Sequence, residues 1–216
     1  MMAMLRYQGM LLGRSYRWLP PVLLYAAGVV AGSFGGMPLA DGLGWSSAVL
    51  VPAVGWLTRS ALTVEPAAAR ACVATAGGPR RAQLATLTVA LAGGVVLAIL
   101  GAAFELATTT WPGGGRAQLA LTGVAAGLTC LLIGSAIGAL CNPPLLRHRG
   151  YAMMATAAVA ITALAASGSP ANAAIRATSA VPGAGYHAPA LPIVIAVAVA
   201  ALTWTASVLA APRRAT

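Results

Sequence analysis

Six long runs of apolar residues constrain this chain more than any other feature. A helix that crosses a lipid bilayer needs about 20 mostly apolar residues, within a range of roughly 17 to 25. Only 7% of the 216 residues are charged, whereas a soluble domain carries about 25%. The pattern predicts an all-α integral membrane protein with one transmembrane domain over residues 1–216. The predicted spans are 18–34, 43–58, 82–107, 117–141, 151–167 and 191–211.

The basic residues are divided unevenly between the segments that join these spans. All thirteen are arginine, which fits a GC-rich bacterial gene, and only Arg116 and Arg176 fall outside one set of segments. Segments rich in basic residues stay on the cytoplasmic side. We therefore expect a multi-pass protein of the bacterial cytoplasmic membrane with both termini in the cytoplasm.

Residues 1–17 are predicted to form an amphipathic interfacial helix and not a signal peptide. Arg6, Arg14 and Arg17 fall on one side of a helical wheel, as in helices that lie among lipid headgroups. The opposite arc holds Met4, Leu5, Gln8, Leu11, Leu12 and Tyr16.

The segment VEPAAARACVATAGGPRR, residues 64–81, lies between predicted spans two and three. Pro66 suits the first helical position and Glu65 the N-terminal end of a helix. The alanine-rich run favours a helix, and Gly77-Gly78 ends it. We expect a short cytoplasmic helix over residues 65–76, which either contacts another protein or only tethers the loop to the interface.

The segment 168–190 is the longest predicted outer connection and is fairly apolar, with a short helix expected after Pro170. It either re-enters the bundle, where protein would cover its backbone, or forms an ordinary surface loop.

The sequence offers little for catalysis. It has no lysine, which a P-loop needs to reach nucleotide phosphates. Its three cysteines, three acidic residues and two histidines are too scattered for a metal site. A serine protease based on Ser135 would need His148 or His187 at membrane depth, where neither falls. We expect no ATPase or hydrolase site, no metal and, because the arginines form no basic face, no nucleic-acid partner.

Glu105 is the one carboxylate within a predicted span. Ionisable groups in spans are functional candidates. Its place near the outer end also allows it to reach the interface or to pair with Arg116.

The order of elements, together with TRSALTVEPAAARACVATAGGPRRAQLATL, resembles the six-helix permease subunits of bacterial ABC exporters, the class of drug, antibiotic and polysaccharide exporters. In that family the helix after span two is a coupling helix that docks into a cleft on an ATPase, and short re-entrant outer helices lie between spans five and six. The resemblance implies ATPase contacts at Glu65, Arg70, Val73 and Pro79. It also makes the helix around Arg6–Arg17 the connector beside the gate.

The family tends to build its substrate path from spans one, two and five. Aromatic and Met side chains suit a large apolar or amphipathic substrate, although packing or an interfacial aromatic belt explains each of them as well. The residues that these spans offer are Tyr25, Phe34, Trp45, Trp56, Met153, Met154 and Thr156.

The resemblance implies the membrane subunit of an ATP-driven exporter that works by alternating access. ATP and Mg would bind to two separate ATPase subunits, and a second permease copy would complete the transporter, as a homodimer or as a heterodimer with a sibling. The alternative is a non-transporting anchor, assembly factor or immunity protein that binds a cytoplasmic partner through the same helix.

Overall fold

A computed structural model describes residues 1–109, 116–141, 149–179 and 190–214. These residues are helical apart from short connections, and no strand occurs among them. The predicted all-α class is therefore confirmed for this part of the chain. The helices are α1 Met2–Arg14, α2 Leu19–Phe34, α3 Leu39–Thr63, α4 Ala67–Gly77, α5 Pro79–Thr108, α6 Arg116–Leu140, α7 Arg149–Ala165, α8 Pro170–Thr178 and α9 Ala190–Ala210, and a 3-10 turn follows at Ala211–Arg214.

Several of these helices are long and apolar enough to cross a membrane. Among the described residues α5, α6 and α9 meet this criterion alone, and the count rises to five if α3 with α4 and α7 with α8 are each taken as one bent span. Helix α2 is apolar but has only 16 residues. The chain is thus a membrane-embedded helical protein, and its described residues hold three to five candidate spans.

Helices α3 and α6 form the centre of the bundle. Helix α3 packs against α2, α5 and α6, and α6 also contacts α8 and α9. Gly134 and Gly138 let α6 approach the α3 backbone, since a Cβ at Gly138 would lie 2.5 Å from the Gly55 carbonyl oxygen. Such contacts between small residues are how helices associate where lipid is as apolar as the partner helix.

Helix α3 is longer at both ends than the predicted span 43–58. Its N-cap is Pro38, and Asp41 lies in its first turn, where a negative charge favours the helix. At the other end the helix continues through Arg59 and Ser60 to Thr63, whose hydroxyl donates to the Arg59 carbonyl oxygen, so polar residues belong to the helix where hydropathy alone ended the span.

Helix α1 ends at Arg14, three residues before the predicted boundary. Tyr16 adopts a left-handed backbone conformation with φ 53°. It therefore leaves the helix and does not extend the uncharged arc, of which Gln8 and Leu12 are buried.

Helix α4 covers Ala67–Gly77, where a helix over 65–76 was predicted, because Pro66 is its N-cap and not its first residue. Gly78 is both the C-cap of α4 and the N-cap of α5. Its φ of 84° is a value that favours glycine. Between α3 and Ala68–Gly77 the chain bends by 84°. Helices α1 and α4 consequently lie at one end of the bundle, called here the α4 end.

Helix α8 starts at Pro170, where a short helix was expected. It bends 51° away from α7 and packs against α3, α6 and α9 through buried Ala171, Ala174 and Thr178. The rest of the predicted outer segment, 180–189, lies outside the described residues, as do 110–115 and the basic turn at 142–148.

Candidate functional site

The corner between α3 and α4 is held together by Glu65. Its side chain is 8% exposed. The Tyr7 hydroxyl donates to Oε1 at 3.1 Å, and the Gln8 amide donates to Oε2 at 3.3 Å. The carboxylate therefore fastens α1 to the corner and does not point freely into solvent.

The pKa of the Tyr7 phenol reflects its contact with Glu65. Desolvation, then the hydrogen bond to Glu65 and the negative charge of that carboxylate, raise the pKa of the Tyr7 phenol above its ordinary value. The bond needs the protonated phenol as its donor, and tyrosine keeps that proton throughout the neutral range even at its ordinary pKa.

Arg70 fixes α4 to the end of α3. Its Nη2 donates to the carbonyl oxygens of Leu62 at 2.9 Å and Glu65 at 3.1 Å. The last carbonyls of a helix lack partners within the helix, and a nearby cation complements their partial charge. Arg17 adds a bond from α1's side, with Nη1 2.8 Å from the Thr63 carbonyl oxygen.

Three of the four predicted coupling residues line one small cavity at this corner. Glu65, Arg70 and Pro79 surround a volume of about 30 Å³ together with residues of α5 and Ala211. Val73 is half-buried on α4 and does not line it. The corner thus joins α1, α3, α4, α5 and the C-terminal turn.

The opposite face of α4 is open and small. Its exposed residues follow the helical spacing i, i+3, i+4, i+7 and i+8, so they form a single strip along one side. They are Ala68, Ala71, Cys72, Thr75 and Ala76. We call this strip the α4 face. A surface of such short side chains lets another protein approach the helix backbone closely.

A second feature of the site is a cavity of about 260 Å³ between α2, α3 and α7. Trp56, Met153 and Thr156, which the resemblance offered for a substrate path, line it together. Leu24, Pro52 and Ala157 complete an apolar wall, and Arg59 contributes the one charged side chain among the lining residues. An apolar wall with a cation at its edge suits an amphipathic molecule.

The other four predicted path residues lie apart from this cavity. Tyr25 is buried and lines a separate space of about 90 Å³ between α2, α3, α5 and α6. Trp45 donates to the Gly28 carbonyl oxygen at 2.7 Å, which makes it a contact between α2 and α3. Phe34 is 88% exposed at the end of α2, and Met154 is exposed on α7.

Glu105 lies at the other end of the bundle and is 2% exposed. Its Oε1 has no hydrogen-bond partner among the described residues, and the carboxylate borders a cavity of about 330 Å³. The predicted pairing with Arg116 concerns a side chain that lies outside the described set.

Sequence reasoning did not identify two groups of residues that belong to the site. Tyr7 and Gln8 are more than fifty positions from Glu65, so no local pattern indicates their contact. Arg59 entered the prediction only through membrane orientation, although an arginine that directly follows the apolar run 43–58 is itself a functional candidate.

Comparison of the chain with protein-family profiles, curated proteins and solved structures found no match.

Proposed function

We propose that this chain is the membrane subunit of an ATP-driven exporter, coupled to a separate ATPase through the α4 face. The observation that carries the proposal is the attachment of α4. Its buried side is bonded to the end of α3 through Arg70, and Glu65 links the same corner to α1. A push on α4 would therefore move α1 and α3 together.

The movement of α3 would affect the cavity between α2, α3 and α7. It adjoins α3, the helix whose C-terminal end carries Arg70's bonds. Displacement of α3 relative to α2 and α7 would change the shape of this cavity. We assign it to the path of a hydrophobic or amphipathic substrate, with alternating access driven by ATP and Mg on the partner.

We propose a finer architecture for the same chain. The chain would have six spans, with α2 as the first, α3 as the second and α7 as the fifth. The α4 end would face the cytoplasm of a bacterial cell, and α8 would be a re-entrant outer helix. Two copies, or one copy with a sibling permease, would work with two ATPase subunits.

The test is a copurification in mild detergent with a matched pair of variants. A charge placed on the α4 face would be buried without a partner in the interface, which is unfavourable. Ala71→Glu should therefore reduce the copurifying ATPase by about tenfold, or ~1.4 kcal/mol. Ser167→Glu, at an exposed position between α7 and α8, should leave it unchanged.

A reversed charge at Arg70 is a poorer test, because it would also remove the bonds that hold α4 to α3. Recovery of a partner that binds no ATP, or equal recovery with both variants, would contradict the exporter proposal. The first of these results would favour an anchor, assembly or immunity protein.

A further inference from the structure

The end of the bundle opposite α4 contains a buried carboxylate beside an open cavity. The space of about 330 Å³ lies where α2 ends, α3 begins and α5 ends. Its lining residues are Ser33, Gly36, Met37, Pro38, Glu105, Thr108 and Thr109. Its volume falls at the lower end of the range for small-molecule sites, which is roughly 300 to 1,000 Å³.

Glu105 lines this cavity. Among the described residues, no cation lies close enough to neutralise its carboxylate. Its Oε1 has no hydrogen-bond partner among them. Gly42 leaves room for the carboxylate, since a Cβ there would lie 2.6 Å from Oε2. Burial of an unpaired carboxylate is unfavourable unless a cation or a proton accompanies it.

The surrounding groups favour one type of cation. The hydroxyl protons of Ser33 and Thr108 are donated to backbone carbonyls of their own helices, Val29 and Phe104. Their oxygen lone pairs are then free to accept, as those of Glu105 Oε1 are. One negative charge with several acceptors matches a primary ammonium group, which carries one positive charge and three donors.

A divalent metal fits less well. Ca²⁺ takes six to eight oxygen ligands, with several carboxylates common among them. In the described part of the chain no three residues among His, Cys, Asp and Glu come together.

We propose that Glu105, with the hydroxyls of Ser33, Thr108 and Thr109, binds the primary ammonium group of an amphipathic molecule at this end of the bundle. The site itself is independent of the exporter proposal. Only the identification of the bound molecule as exported cargo rests on the exporter proposal. The same ammonium chemistry also occurs in the headgroup of an aminophospholipid.

The experiment measures binding of radiolabelled tryptamine to the full chain in nanodiscs of phosphatidylcholine. The uncharged analogue, in which a hydroxyl replaces the amine of tryptamine, controls for the indole ring. We expect tryptamine to bind at least about tenfold more tightly than this analogue, because only tryptamine forms a charge-assisted bond with Glu105. Glu105→Gln should abolish the difference, and Asp41→Asn, which changes an exposed carboxylate at the same end, should preserve it.

Thermal unfolding of each variant separates binding from folding. Glu105→Gln removes an unpaired buried charge and should not lower the unfolding temperature. Ser33→Ala provides a milder second variant, with a few-fold weaker tryptamine binding and an unchanged fold.

Several results would contradict the proposed ammonium site. Equal binding of both ligands would do so, as would full retention of the difference in Glu105→Gln, or competition by sodium at least as effective as that by tryptamine. A gain of tryptamine binding only in Arg116→Gln would mean that the chain's own guanidinium fills the site.

A change of lipid in the nanodiscs distinguishes the two sources of the ammonium group. Weaker tryptamine binding in phosphatidylethanolamine nanodiscs identifies the headgroup as the ligand, whereas unchanged binding identifies a free amine. Loss of the site would leave the ATPase copurification unaffected, so failure of this inference is distinguishable from failure of the exporter proposal.

Discussion

Single buried polar side chains account for much of the cohesion at the α4 end. The Gln8 side chain is 3% exposed, and Glu65 accepts its amide proton. A buried donor that loses its acceptor costs more than the net value of the hydrogen bond, because its desolvation is no longer offset. Glu65 is therefore a positioning residue for α1, whatever partner α4 meets.

Replacement of this carboxylate should loosen α1. Glu65→Ala should destabilise the protein by about 1–3 kcal/mol, since it leaves the Gln8 amide buried without an acceptor. Tyr7→Phe removes only the half-exposed donor and should cost less than about 1 kcal/mol. Thermal unfolding in detergent compares the two, and equal shifts would contradict the positioning role of Glu65.

At the scale of elements, α3 and α6 cross in the bundle's centre with their backbones in close approach. A Cβ at Gly134 would lie 2.7 Å from the Val51 carbonyl oxygen, much as one at Gly138 would meet Gly55. Carbonyl oxygens in a helix cannot turn aside as a flexible side chain can. The two helices would have to separate, and α3 would then move relative to every helix that packs on it.

This crossing gives a prediction with a control on the same helix. Gly138→Ala should cost about 1–3 kcal/mol through overpacking, measured as a lower unfolding temperature in detergent. Gly127→Ala places its Cβ 3.8 Å from Ser47 Oγ, an ordinary contact, and should be neutral or slightly stabilising because Ala favours helix. A loss of stability in Gly127→Ala that matches the loss in Gly138→Ala would refute this account of the crossing.

At the scale of the whole molecule, the helical and membrane-embedded character could be predicted because it depends on long apolar runs. Boundaries were less accurate, since Pro38 and Asp41 at one end and the polar residues of 59–63 at the other extend α3 beyond its most apolar part. The two bent pairs also leave the number of spans at three to five among the described residues, where hydropathy indicated six.

The candidate site was predictable only in part. The α4 segment was found because Pro66 and Gly78 mark its ends, and both are local signals. The path residues divided between separate spaces because hydropathy does not specify which way an all-apolar helix faces. Trp56 and Thr156 point to one cavity and Tyr25 to another. The partners of Glu65 depend on a contact between distant positions, which no single sequence reveals.

Cys72 offers the most direct test of the central claim. It is the exposed cysteine of the chain and lies in the middle of the α4 face, while Cys130 and Cys141 are buried. A photoreactive maleimide attached to Cys72 in inside-out membrane vesicles can therefore report what touches this face without any substitution. We expect irradiation to link the chain to a separate ATP-binding subunit, and Ala71→Glu to abolish the product. Crosslinks only to lipid, or to a protein that binds no ATP, would contradict the claim that α4 couples this membrane protein to an ATPase.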